Sequence, residues 1–415
     1  MDFRPLLPKT LEETGLKKSF LQDLVLKIIY SNGKITGKEI SQELKLPASV
    51  TLEVIELLKK QKFIDGAGSS HAIHCLYEIL DMGRGKVREI FERDEYIGPA
   101  PVCIAQYNQI VKKHVKDFTP INRDQVKAAF ADLIIKESVF EEIGPAVNSR
   151  GSMFLFGPPG NGKTSIAERI SRIISDKVLV PYAIEVDNQV IKLFDPSYHK
   201  LAEEEGASMT YDNRWLLCDP PAVVVGGELT LEELDLIWNP TAKFYEAPIH
   251  LKANGGMFLI DDFGRQIVRP RDLLNRWIVP LEKSIDFMTL HNGKKIEVPF
   301  IQLVVFSTNL DPADLVDEAF LRRLQNKIHI LDPDEESYRK IFKLNCENLK
   351  IPYDEAMVSV FVDKYMKAEG RPFRACQPRD ILKIIRAKCL FDGIEYTMNE
   401  NLFQYACKQY YVKLA

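Results

Sequence analysis

Apolar residues recur in three different rhythms along this chain. Near the N-terminus Leu21, Leu24, Leu26, Ile28 and Ile29 follow a helical spacing that stops at Ser31-Asn32-Gly33. A second helix is predicted in ITGKEISQELKL with Thr36 as its N-cap, and a third in SVTLEVIELLKKQ from about Ser49. FIDGAGSSHAIHCLYEIL then sets a Gly/Ser centre between two strand-like runs, the pattern of a β-hairpin. From Phe130 the rhythm changes: helical segments alternate with short, wholly apolar runs, MFLFG, AIEV, AVVVG, MFLID and LVVFST. Runs of that kind are buried on both sides and predict a parallel sheet with helices on both faces. Past Pro333 the strands vanish and helical spacing dominates, broken at Gly370-Arg371-Pro372 and at Gln377-Pro378.

The pattern divides the chain into residues 1–95, a connector at 96–125 opened by Gly98-Pro99-Ala100-Pro101, an α/β domain at 126–332 and a helical domain at 333–415. A length of 415 residues suits two or three such units. Composition adds bounds. With 46% hydrophobic and 27% charged residues the chain reads as globular, and a net charge of -4 argues against a surface selected throughout to coat nucleic acid. No run has the length of a signal peptide or a membrane span, so a cytoplasmic location without membrane insertion is expected. Seven scattered cysteines without a CxxC pair imply no disulfide framework.

The chemistry-bearing residues begin at GPPGNGKTS, which is Gly157, Pro158, Pro159, Gly160, Asn161, Gly162, Lys163, Thr164 and Ser165. It fits G-x-x-x-x-G-K-[ST] and lies between a strand run and the helical TSIAERISRII. Glycines there allow backbone N–H groups and a helix N-terminus to face a polyphosphate. Lys163 would neutralise the β/γ charge, and Thr164 would offer its hydroxyl to Mg²⁺. Asp261 and Asp262 end the apolar run MFLI, where the first acid can hold the metal through water and the second can orient an attacking water. Asn309, closing LVVFSTN, is a candidate to fix the same water or the γ-phosphate. Arg322 and Arg323 stand together on a predicted short helix, and Arg379 lies in the first turn of QPRDILKII.

Taken in that order, phosphate loop, acid pair, polar strand tip, paired arginines and later arginine resemble the AAA+ superfamily over residues 125–415. The resemblance implies an α/β P-loop core with a C-terminal helical lid, a bound ATP with Mg²⁺, and a homo-oligomer that is usually a hexamer. It implies ATP hydrolysis by Lys163, Asp262 and Asn309, with Arg322 or Arg323 reaching the site of a neighbouring subunit and Arg379 acting from the lid. ANGGMFLIDD and the helix, Asn292-Gly293 hairpin and strand that follow resemble the group of magnesium chelatases and MoxR-type ATPases. DEAFLRRLQNKIHI instead resembles the protein-remodelling AAA group. Glu is usual at the second acid position, and Asp262 is shorter by one methylene, about 1.5 Å of reach.

The N-terminal three helices and hairpin resemble a winged-helix module. Its charges, nine Lys/Arg and eight Asp/Glu between Lys17 and Gly83, are nearly balanced. A protein client and duplex DNA are therefore both carried forward as its partner, with protein remodelling the first reading and an ATP-gated DNA switch the second. Phe194, Tyr198, Phe244 and Tyr245, in the long stretch between Lys163 and Asp261, are candidates for pore-facing aromatics, with core packing as the competing account.

Overall fold

A computed structural model describes residues 4–68, 71–116, 118–203, 210–315 and 318–411. The chain opens with α1 (Lys18–Asn32), β1 (Lys34–Thr36), α2 (Gly37–Leu44), α3 (Ala48–Lys60), β2 (Ile64–Ala67), β3 (Leu76–Ile79) and α4 (Asp81–Phe91). Next come β4 (Val102–Cys103), α5 (Ile104–Lys116), α6 (Arg123–Ala129), α7 (Glu137–Asn148), β5 (Met153–Phe156) and α8 (Lys163–Ile173). The middle is strand-rich: β6 (Val178–Pro181), β7 (Ala183–Val186), β8 (Gln189–Lys192), β9 (Trp215–Cys218), β10 (Ala222–Val225), β11 (Ile237–Asn239) and β12 (Phe244–Glu246). It runs on through α9 (Ile249–Lys252), β13 (Met257–Ile260), α10 (Pro270–Lys283), β14 (Ile285–Thr289), β15 (Lys295–Pro299) and β16 (Leu303–Thr308). Two single turns, α11 (Pro312–Leu315) and α12 (Glu318–Leu321), precede β17 (Asn326–His329), and α13 (Glu335–Leu349), α14 (Glu355–Phe361), α15 (Gln377–Asp392) and α16 (Glu400–Tyr410) complete the fold. No helix among the described residues is long and apolar enough to cross a membrane.

Two compact units emerge. The first gathers residues 1–119, 174–258 and 272–303; the second gathers 120–173, 259–271 and 304–415.

In the first unit, α1, α2 and α3 pack with a three-stranded sheet of order β1–β3–β2 around Leu21, Val25, Ile40, Val54 and Tyr77. Thr36 caps α2 with a reciprocal box: its side chain accepts from the Glu39 N–H, and the Glu39 carboxylate accepts from the Thr36 N–H. A second sheet, β11–β12–β8–β7–β4, carries its own core of Ile184, Ile191 and Tyr245. The hairpin β7–β8 turns at Asp187 and Asn188, both with positive φ (52° and 62°), the two-residue turn whose twist suits adjacent strands.

That second sheet corrects one sequence expectation: AIEV is β7, not a strand of the parallel sheet. All four of its residues are buried, and an apolar run reveals burial without revealing its partner strand. The four aromatics proposed for a pore are also packing groups. Tyr245 is buried and its hydroxyl accepts from the His291 N–H at 2.8 Å. Phe194 meets Tyr182 and His199, Phe244 sits edge-on to Tyr96, and half-buried Tyr198 lies beneath the Lys252 ammonium.

The second unit is built on β5. It pairs in parallel with β16, Met153 against Val305 through Phe156 against Thr308, and with β17, Met153 against Asn326 through Phe156 against His329. Within this unit the strand order is β13–β16–β5–β17. Every residue of β13 and of β16 is buried, as a sheet covered on both faces requires. Helices α13 to α16 form a bundle with a separate core of Tyr338, Phe342, Phe361, Leu382 and Phe403.

Candidate nucleotide-binding site

The loop between β5 and α8 has a shape that only small residues permit. Gly157 and Gly160 have φ of 139° and 81°, where a side chain is strained. A Cβ on Gly157 would stand 2.3 Å from the Ile330 carbonyl oxygen, and one on Gly160 would stand 2.5 Å from the Cys376 sulfur. Lys163 opens α8 and is only 6% exposed. Its ammonium donates to the Gly157 and Pro158 carbonyls, each at 2.9 Å, so it folds back over the loop. Burial pushes its pKa below the usual lysine value, the carboxylates of Asp262 and Asp261 oppose that shift, and the Arg374 guanidinium adds to it.

Asp261 and Asp262 leave the end of β13. The Asp261 carboxylate accepts from the Thr164 hydroxyl at 2.8 Å. Asp262 takes a left-handed backbone, φ 49°, and its carboxylate accepts from the Asn309 amide at 2.9 Å. Backbone bonding aims both groups: the Phe263 N–H donates to the Ser307 carbonyl at 2.7 Å, and the Thr308 hydroxyl donates to the Phe263 carbonyl at 2.7 Å. The tips of β13 and β16 are thereby tied together just where the two polar side chains emerge.

These groups line a cleft of about 640 Å³. Its lining combines the loop Gly160 to Ser165, Asp261, Asp262 and Asn309 with the apolar side chains Leu133, Ile134, Ile135, Ile341 and Leu344 and the polar Asp132, Arg169, Asn345 and Asn348. A ligand with a polyanionic part and an apolar part fits a lining that holds both kinds of group. A larger cleft, about 740 Å³ in the first unit, lacks such a cradle, and its charged walls are already paired, Lys27 with Asp94 and Arg93 with Asp23.

The donor set suits MgATP. The Thr164 hydroxyl and the Asp261 carboxylate, hydrogen-bonded at 2.8 Å, are hard oxygen donors that would hold Mg²⁺ there, the carboxylate through water. No group of three or more His, Cys, Asp or Glu side chains placed to hold a metal occurs among the described residues. Two protein oxygens are what Mg²⁺ takes when phosphates and water complete its shell.

Arg379 reaches this cleft from α15 and donates to Asp380 at 2.9 Å. Arg322 and Arg323 do not line it. They follow α12 in a turn instead of lying on the predicted helix, because α12 ends at Leu321. The Arg322 side chain is 77% exposed and donates to Glu318 at 2.7 Å. Gly157, Pro158 and Pro159 form the first half of the loop behind the cleft.

The sequence places Asn161 in the loop but does not reveal its partners Asp332 and Ala375, or the Arg374 that shares Asp332. Asn161 donates to Asp332 at 2.6 Å, Arg374 donates to the same carboxylate oxygen, and the Ala375 N–H donates to the Asn161 carbonyl at 3.2 Å. The apolar wall at Leu133 to Ile135 was missed as well. Neither carries a motif; the Asp332-Pro333 pair at the strand-to-helix junction was the one local hint.

A family profile described as "Domain of unknown function (DUF8689)" matches residues 334–409, the region of α13 to α16. No curated protein matches. Solved structures that are similar include two variants of RuvB from Thermotoga maritima. One is 13% identical over 70% of this chain and 70% of its own, with a TM-score of 0.38. The other is 12% identical over 71% of this chain and 72% of its own, with a TM-score of 0.39. A complex of the magnesium chelatase subunits BchI and BchD is 14% identical over 72% of this chain and 98% of that one, with a TM-score of 0.36. At such scores the chain's own strand order and loop geometry define its fold.

Proposed function

We propose that this chain binds MgATP in the cleft of its second unit and hydrolyses it as one subunit of an AAA+ ring, a hexamer by the family resemblance, to remodel a protein or protein complex in the cytoplasm. The observation that carries the reading is the 2.8 Å approach of the Thr164 hydroxyl to the Asp261 carboxylate beside a glycine loop spanned by buried Lys163.

Each residue then has a task that follows from its bonds. Lys163 exchanges two carbonyl partners for phosphate oxygens, a stronger, charge-assisted bond. Thr164 and Asp261 hold Mg²⁺, which when bound would spread the negative charge of the transferring phosphoryl group. Asp262 accepts a proton from, and orients, the attacking water, and its bond from Asn309 keeps the carboxylate from turning away. Arg379 is placed to meet the nucleotide from the helical side of the cleft. Arg322 and Arg323, outside the cleft lining of their own chain, suit delivery to a neighbouring subunit's site, where a guanidinium stabilises transition-state charge.

A protein client is favoured over DNA by the outward face of α3, where Ser49, Glu53, Glu56 and Lys60 are exposed. In a winged-helix arrangement that face would meet the groove, and its two carboxylates repel phosphate. The test mixes two inactive variants, Lys163→Ala and Arg322→Ala,Arg323→Ala. Delivery between subunits predicts that ATP turnover reappears in the mixture, where a subunit with an intact loop meets a neighbour with intact arginines; no recovery would contradict it. Salt-dependent DNA binding that vanishes on deleting residues 1–95 would favour the DNA switch instead.

A further inference from the structure

Asn161 lies in the phosphate loop, is 7% exposed, and uses both ends of its amide outside the loop. Its NH₂ donates to Asp332 at 2.6 Å, at the junction of β17 and α13, while its carbonyl accepts from the Ala375 N–H at 3.2 Å. The next amide along, Cys376 N–H, donates to the Gly160 carbonyl at 2.8 Å. Two successive residues at the start of α15 are thus bonded to two successive residues of the phosphate loop. Arg374, immediately before them, donates to the Asp332 oxygen that Asn161 uses, and its own N–H is held by Gln377 at 2.9 Å. Asp332 is fixed in turn by its carbonyl, which accepts from Lys136 at 3.0 Å.

We propose that Asn161, Asp332 and Arg374 form a latch that sets the phosphate loop according to the position of the helical region, making Arg374 a positioning residue of the nucleotide site. The proposal rests on the nucleotide reading above. One Asp332 oxygen serves two donors, so moving either donor changes what holds the other. Anionic phosphate in the loop draws Arg374 away from Asp332, which loosens the grip on Asn161; displacement of α15 withdraws the Ala375 and Cys376 amides from the same loop. Phosphate affinity and helical-region position are coupled by these bonds, and coupling of this kind typically amounts to 5–150-fold in affinity.

A double-mutant cycle tests it, using Asn161→Ala and Arg374→Ala in the full chain, with the dissociation rate of a methylanthraniloyl-ADP probe as readout. Each single variant should release the probe about tenfold faster, the double variant no faster than the quicker single, and Arg374→Lys should recover part of the loss. Multiplicative rates, or unchanged rates, would overturn the latch. Amide exchange without nucleotide gives an independent readout. The Cys376 amide touches Gly160 and not Asn161, so its exchange should quicken in both single variants; normal protection in both would also overturn the latch. If the parent binds no probe while Cys376 exchange still responds, the nucleotide reading fails and the mechanical coupling stands.

Discussion

Asp262, the acid proposed to orient the attacking water, has an unusual backbone angle. At φ 49° it occupies the left-handed region, which Asp and Asn tolerate better than longer side chains because their short polar groups bond locally. Its carboxylate is bonded to Asn309 at 2.9 Å, so its shorter reach is fixed and not adjustable. A catalytic group misplaced by about 1 Å loses on the order of 10²-fold in rate, and slow turnover is the expected property of the parent. Replacing Asp262 by Asn keeps size and backbone but removes the base. Single-turnover hydrolysis should then drop by about 10²-fold or more while ATP affinity is retained. An unchanged rate would mean that another group orients the water.

At the scale of elements, much of the site was legible because it is local. β5, its loop and α8 are contiguous, and the apolar runs that became β13 and β16 end on the acids and the amide that line the cleft. The Thr36 cap was legible too, because residue type dictates conformation there. What rhythm cannot supply is pairing between distant segments. AIEV has the same buried character as MFLI yet joins another sheet, and the aromatics offered as pore residues are held by neighbours far along the chain. Arg214 is the extreme case. It is 1% exposed, its side chain donates to Asp212 at 2.7 Å and to the Thr14 and Pro101 carbonyls at 2.9 and 3.1 Å, and so ties three remote segments of the first unit. Nothing in its local sequence announces that role. Asp212→Ala would leave a buried guanidinium without its anion, at a cost of about 3–5 kcal/mol. Differential scanning calorimetry should show a lowered transition for the first unit; an unshifted profile would mean that water or a rearranged neighbour compensates the charge.

Over the whole molecule, the proposed nucleotide site belongs to the second unit alone: every residue lining the cleft, including Arg379 of the helical region, lies within it. The first unit, with its capped α2, a three-stranded antiparallel sheet and a five-stranded mixed sheet, is where the proposed client would dock, and the exposed Glu53 and Glu56 of α3 are the residues that would set its preference. Mechanical work by such a chain depends first on whether ATP is held where the glycines and the buried lysine converge. Titration calorimetry of parent and Lys163→Ala protein with ATP, with and without Mg²⁺, addresses that point most directly. The expected result is Mg²⁺-dependent binding by the parent that weakens by about 10–100-fold in the variant, the worth of a charged hydrogen bond. Equal affinity in the two proteins, or no binding by the parent, would contradict the account.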